Sequence, residues 1–419
     1  MSVEQCPYAR VTRLADVTKL LRSKSALANE PELFANVAED PVNGEINVRE
    51  FLAASFIFSE GESHRSRRKL LNPLVRTDAL TGIREDIILP EADRLLASMP
   101  AGADGTVSLD LVEFLERVFI HFTARLIGLT DLTDERIALF RSLAGPIAAG
   151  TSSAYLADRA TINAQALAAK ARYRDEILLP SLAWHREMRR RIDAGEVHDD
   201  EVPGSFLRMA AAGLDPRWAD DDNVVVESSM LFAASVGTST QSVVHTVDLL
   251  HTWFAAHPED LPEATDPTFL LNALCETIRL RAPFSPYNTR RALEDHVLSD
   301  GTAVRAGQEL HVELMAANRD PDVFGDDAHD FNPRRPPPEG NLARYGVGFG
   351  MGTHQCYGLR VVVGNDGKGG AHVELLRKLM SAGVRPDPDN PPTSLVKDMS
   401  KFAIADIPRY LTYPVTLSA

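Results

Sequence analysis

Ten residues carry the most specific chemistry in this chain: Phe349-Gly350-Met351-Gly352-Thr353-His354-Gln355-Cys356-Tyr357-Gly358. One cysteine follows a glycine-rich turn and precedes an apolar stretch, 358–363, that reads as helix. Glycines let a backbone fold closely around a sulfur and leave its amides facing that sulfur. Those amides, with the positive end of a following helix, favour a thiolate. A thiolate held this way is a strong axial ligand for heme iron. Zinc asks for four ligands, and His354 and Cys356 have no second Cys or His pair nearby. A cysteine protease needs a His and Asn context, and none singles itself out. A dinucleotide fingerprint begun at Gly346 has Met351 where its sixth position requires glycine. The plain structural reading is a buried thiol beside a flexible loop.

The elements that must position this loop are mostly helices. Apolar spacing of three and four predicts helix over 14–22, 64–71, 84–98, 108–128, 133–148 and 158–192. The segment 222–252 is apolar nearly all round and should be buried, with Asp221 and Asp222 before its first turn. A helix over 268–281 follows Pro267. Over 284–313 prolines, β-branched residues and the turn Ser299-Asp300-Gly301 predict short strands. Residues 320–348, rich in proline and glycine, read as a long irregular loop, which is often functional. Four glycines between 364 and 370 predict a helix break, with helix again from about 371. The chain is therefore mainly α with a small β-sheet region.

Composition bounds the rest. The 419 residues carry 59 acidic against 44 basic side chains, a formal charge of -15, which argues against sequence-independent nucleic-acid binding. Length alone suggests two or three domains. Three cysteines, Cys6, Cys275 and Cys356, exclude a disulfide framework and fit a reducing cytosol. The first ten residues show no signal-peptide pattern, and no apolar run reaches membrane-spanning length.

The decapeptide resembles the heme-binding signature of the cytochrome P-450 family. Glu276-Thr277-Ile278-Arg279 resembles its E-x-x-R, whose two side chains share a helix face. Phe331-Asn332-Pro333-Arg334-Arg335 resembles its F-x-P-x-R, and the position implies that Arg335 joins the pair. His64-Arg65-Ser66-Arg67-Arg68 resembles its H-x-x-x-R; alone, His64 and Arg68 would read as a solvated helix face. Ala317-Asn318-Arg319-Asp320-Pro321 also follows the family pattern. The resemblance implies one domain over 1–419, a helical prism enclosing heme b (iron protoporphyrin IX) between a long central helix and the cysteine loop. It implies Cys356 as iron ligand, with His64, Arg68, Arg290 and His354 on the propionates and Phe349, Gly350 and Gly358 shaping the loop. Two buried carboxylates need charge-assisted donors, which arginine supplies best.

Three departures from the family stand out. Only nine residues precede the segment matching Arg10–Leu21, an unusually short start. In Val236-Gly237-Thr238-Ser239-Thr240-Gln241, Gly237 and Thr240 match the oxygen-side pattern, but Ser239 replaces the acid that normally helps deliver protons. Mid-helix hydroxyls of this kind can also bond back to the preceding turn. After Cys356 the usual L-A-R-x-E is absent.

The implied activity is a soluble, cytoplasmic heme-thiolate monooxygenase that uses dioxygen to oxidise a small molecule, in natural-product (secondary) metabolism. Electrons would come from ferredoxin and ferredoxin reductase, with Arg67, Lys69 and Arg360 as a local basic docking patch. Substrate contacts are expected from 33–60, from Phe232, Ala233 and Val236, from Pro283–Asn288 including Phe284 and Asn288, and from Phe402. Ser239 keeps open a heme-thiolate enzyme that does not insert oxygen, acting by coupling, dehydration, isomerisation or peroxide. A heme-binding sensor without turnover is the third reading.

Overall fold

The computed structural model describes residues 9–23, 27–28, 55–103, 105–151, 159–283, 288–364, 370–395 and 407–418. Phe284, Phe402, Cys6 and most of the stretch 33–60 lie outside them. The chain divides into two compact units. One comprises Met1–Phe34, Asp93–Phe114 and Thr238–Ala419; the other comprises Ala35–Ala92 and Leu115–Gly237.

The second unit is helical among its described residues. Its helices include Gly61–Leu71, Asp134–Thr151, Arg159–Arg172 and Leu179–Asp193. Two expected continuous helices, 84–98 and 158–192, are interrupted by π-helical turns at Arg84–Ile88 and Tyr173–Leu178. Each wide turn runs into a Leu-Pro step, Leu89-Pro90 or Leu179-Pro180. Proline has no N–H to donate and its ring crowds the carbonyl one turn back, so a widened turn absorbs it without ending the helix.

Phe232 packs edge-on against Phe140 and Tyr173, with ring centroids 5.5 and 5.1 Å away, and is 1% exposed. This corrects its expected place in a substrate pocket. A large ring between two others in a sealed core presents no face to a ligand.

The same unit buries an ion pair. Arg67 donates to Glu227, which is fully buried, and lies 3.5 Å from Asp215. Glu227 also accepts from the Ser55 hydroxyl and the Phe56 amide, at 3.3 and 3.2 Å. Arg67 is itself 3% exposed, so it cannot belong to a surface docking patch as expected; its neighbours Arg65 and Lys69 are exposed. Helical spacing places Arg67 on the inward face, one turn from His64.

The first unit holds the sheets. Ala9–Val11 runs parallel to Glu309–Val312, which pairs antiparallel with Asn288–Ala292, and Leu27–Ala28 closes the four-stranded sheet. A three-stranded sheet joins Thr106–Asp110 to Pro414–Ser418 and Arg385–Pro386. The helix expected from 108 therefore starts at Leu111. Asp110 ends the strand and accepts from the Val112 amide at 3.0 Å, which fixes the boundary. The long apolar helix spans Asp221–Ala256, with Asp221 and Asp222 inside its first turn rather than before it. The short helix after the cysteine, Leu359–Val363, stops at Gly364, and helix resumes at Ala371–Ser381. No helix among the described residues is long and apolar enough to cross a membrane.

Replacing Arg67 by Met leaves Glu227 buried without its cation and should cost about 3 kcal/mol, read by urea unfolding. Burial pushes the Glu227 carboxyl up to about 7 against the opposing pull of Arg67. Its proton is bound more tightly in the folded chain than in the unfolded one. The stability it contributes is complete below its ordinary value of 4.5 and declines as pH rises through about 7. Wild type should lose stability over that window relative to Glu227→Gln, which has no such group.

Candidate functional site

The cysteine loop is held by a buried ionic network built on the helix Pro267–Leu280. That helix starts cleanly, because Asp266 accepts from the Phe269 amide at 2.8 Å and Pro267 fills its first position. Glu276 and Arg279 then fall on one face and form a two-bond fork, 2.7 Å in each arm. Arg335 Nε adds 3.0 Å and the Asn332 amide 3.2 Å to the same carboxylate. Arg334, its neighbour, points elsewhere, to Asp260 and Glu263. Glu276 is 4% exposed and Arg279 not at all.

Arg279 also donates to the carbonyls of Asn318 and Ala328, both at 2.6 Å, and of Asp330 at 3.2 Å. Arg335 donates to the Phe324 carbonyl at 2.6 Å and to Asp327 and Asp330. The expected irregular loop is present after a single helical turn, Pro321–Phe324. Its carbonyls at Asp327, Ala328 and Asp330 accept from these two guanidiniums.

Asn318 transmits this order to the cysteine loop. Its amide donates to the Arg279 carbonyl at 3.0 Å, and its oxygen accepts from the Val347 amide at 2.7 Å. Gly346 allows this contact: its φ is +57°, and a Cβ there would stand 2.1 Å from the Asn318 oxygen. The Gly350 amide then donates to Val347 and the Cys356 amide to Phe349, each at 2.8 Å. Phe349 is edge-on to Tyr345 at 4.9 Å. At Gly352, φ is +68° and a Cβ would meet the Leu21 carbonyl at 2.2 Å, so the turn sits flush on the helix Leu14–Arg22. Sequence reasoning quoted Asn318 within a family segment but gave it no task. An asparagine with both ends committed to backbone is not visible without the fold.

Cys356 is exposed, unlike Cys275, whose buried thiol is pushed up to about 12 by desolvation. The plain reading of Cys356 as a buried thiol is therefore wrong. The helix that follows is only five residues long, so its dipole adds less to the loop than expected. Gly358 adopts an ordinary helical φ of -80°, and a Cβ there would touch the Cys356 sulfur only at 3.8 Å.

In this unit Arg290 is largely buried on the strand Asn288–Ala292 and His354 is half-buried in the turn Gly352–His354; Asn288 is half-buried at that strand's start. In the other unit His64 is 1% exposed and Arg68 is half-buried, both on Gly61–Leu71.

The long helix supplies two further observations. It is buried throughout 224–232 and 239–247, yet every residue from Ala233 to Thr238 is half-buried or exposed, including Val236 and Gly237. Ser239 and Thr240 follow as buried residues. Nearby Ser242 and Thr246 bond back to Thr238 and Ser242 carbonyls at 2.8 and 2.7 Å. The Thr240 hydroxyl does not; it is fully buried with no hydrogen-bond partner among the described residues. An unpartnered buried hydroxyl is available to a water or a bound group.

Within the first unit, the accessible Cys356 thiol, the largely buried Arg290 and the Thr240 hydroxyl are of the kinds that heme b takes as iron ligand, propionate donor and oxygen-side group. Residues 263–361 match the family model described as Cytochrome P-450. A mycinamicin VIII methyl hydroxylase of Micromonospora griseorubida is 36% identical over 136 residues, 32% of each chain. Cytochrome P-450 105C1 of a Streptomyces species is 33% identical over 158 residues, 37% of this chain and 38% of that one. The matched segments thus span about a third of the length of these curated relatives. The solved structure of CalO2 has a TM-score of 0.71 at 19% identity, covering 99% of this chain and 94% of its own. A mutant of EryK with erythromycin B has a TM-score of 0.67 at 21% identity, with the same coverage. At these identities the structures establish the fold.

Asn318→Ala would leave the Arg279 carbonyl and the Val347 amide short of a buried partner. It should lower stability by about 2–4 kcal/mol, read by urea unfolding. Purified variant should also carry less heme than wild type, read as heme content per chain.

Proposed function

We infer that this chain, a cytochrome P-450 in its fold and in the sequence of residues 263–361, is a heme-thiolate monooxygenase acting on a small organic molecule. The observation that carries this is Cys356, exposed at the end of a loop fixed through Glu276, Arg279, Asn318 and Val347. We take 1–419 as one functional domain and its location as cytoplasmic. The relative named a mycinamicin VIII C21 methyl hydroxylase supports a role in secondary metabolism.

When bound at Cys356, heme supplies dioxygen activation, which strong thiolate donation favours. The chain's own residues orient and protect that chemistry. Arg290, His354, His64 and Arg68 are the donors for the two propionate carboxylates. Phe349 and Gly350 fix the turn from which the Cys356 amide is held at 2.8 Å. Thr240, free of back-bonding, can hold a water or pass a proton from its Oγ1. With Ser239 in place of an acid, the proton reaches Thr240 through water, the substrate or another residue. Ala233 and Val236, accessible on the long helix, remain substrate contacts, as does Asn288. Electrons come from ferredoxin and its reductase. With Arg67 buried, Lys69 and Arg360 are the exposed cations left from the expected docking set.

Ser239 also favours a second reading, turnover without oxygen insertion. Labelled dioxygen separates the two: label in the product supports the monooxygenase, and its absence with product still forming supports the second. The ligand assignment has its own test. Reduced protein with carbon monoxide should show the thiolate-type Soret band, and Cys356→Ala should lose it. A band that survives that substitution would remove Cys356 as the ligand.

A further inference from the structure

Three side chains on one stripe of the long helix, starting beside Thr240, grip the C-terminal part of the chain. The Gln241 amide pairs with both backbone groups of Tyr410. Its Nε2 donates to the Tyr410 carbonyl and its Oε1 accepts from the Tyr410 amide, each at 2.9 Å. One turn on, His245 Nε2 lies 3.0 Å from the Pro408 carbonyl. Burial lowers His245 to about 4, so the ring is neutral and carries its proton on Nε2, where it donates. Another turn on, Asp248 accepts from the Tyr413 and Tyr410 hydroxyls at 2.9 and 3.2 Å and pairs with Arg281 at 2.6 Å. The rings of His245, Tyr410 and Tyr413 close the stripe edge to face, 5.5 and 4.9 Å apart.

We propose that Gln241 is a positioning residue, which couples the helical turn carrying Thr240 to the C-terminal segment at Tyr410. Residues 241, 245 and 248 lie on one helix face, so the segment 408–413 is fixed at three heights. Gln241 is the point next to Thr240, and it is the only one of the three that both donates to and accepts from the segment's backbone. This side chain does for Tyr410 what a neighbouring strand would do. A shift of the segment therefore reaches the Thr240 turn directly. The functional half of this proposal rests on the monooxygenase reading; the coupling itself does not.

Two substitutions test it. Gln241→Leu keeps the volume and removes both bonds. Gln241→Glu keeps them only while protonated, since a carboxylic acid donates and accepts once each, as the amide does here. Burial raises such a carboxyl's pKa. The facing titratable and charged groups are His245, Asp248, Arg281, Tyr410 and Tyr413. Hydrogen exchange of the full-length protein is followed in peptides covering 407–413, 237–244 and 224–232. Gln241→Leu should exchange roughly tenfold faster in the first two and unchanged in the third. Gln241→Glu should match wild type at low pH and Gln241→Leu at high pH, beyond the intrinsic pH dependence that wild type shows. In heme-loaded protein, product formed per electron pair consumed should fall in Gln241→Leu and follow the same pH step in Gln241→Glu. Unchanged exchange at 237–244 in Gln241→Leu, or a Gln241→Glu variant without a pH step, overturns the coupling. Faster exchange with an unchanged product ratio overturns the positioning role. Loss of the thiolate band's dependence on Cys356 would instead overturn the functional reading and leave the exchange results to decide the coupling.

Discussion

Glu276 is a carboxylate with almost no water around it, and the site depends on how that charge is met. Two arginines answer it, and each spends five hydrogen bonds, the full donor capacity of a guanidinium. Only part of that capacity goes to Glu276. The rest is spent on the carbonyls at 318, 324, 327, 328 and 330 and on the Asp327 carboxylate, along chain that is largely irregular. Buried ion pairs often add little net stability, since desolvation offsets attraction. Here the pair specifies a path for irregular backbone. Remove the carboxylate and the two cations lose their common centre, and with it the carbonyls they organise.

That path ends at the thiol. Asn318 bonds to Arg279 on one side and to Val347 on the other, and two turn bonds carry the order from Val347 to Cys356. The sulfur is therefore exposed on a segment whose backbone is constrained from behind. This combination suits a metal ligand: access at the atom, rigidity in what bears it. Gly352, flush against Leu21, adds a second brace from the helix Leu14–Arg22.

Much of this was legible before folding, because the signals were local. Helical periodicity located most of the helices, and the resemblance of Glu276–Arg279, Phe331–Arg335 and the Cys356 loop to family motifs implied the network that the structure shows. The readings that failed involve tertiary facts. Thr106–Asp110 pairs with a strand some three hundred residues on, so no local pattern could separate it from the helix it precedes. Arg67 resembles its exposed neighbours in sequence, and only the opposing Glu227 shows that it is interior. Phe232 reads as a pocket residue or a core residue with equal ease until Phe140 and Tyr173 close on it. The π-turns were within reach, since a Leu-Pro step inside a helical pattern must be absorbed somewhere.

The long helix shows how one element can hold several tasks apart. Its hydroxyls at 242 and 246 are consumed by the helix itself, which keeps them out of other bonds. Gln241, His245 and Asp248 turn outward to the C-terminal segment. Thr240 lies between these sets and belongs to neither. Its hydroxyl makes no bond to the preceding turn, unlike those at 242 and 246. The adjacent Gln241 holds the same turn against Tyr410. The missing acid at position 239 matters less to where that hydroxyl sits than to how a proton reaches it.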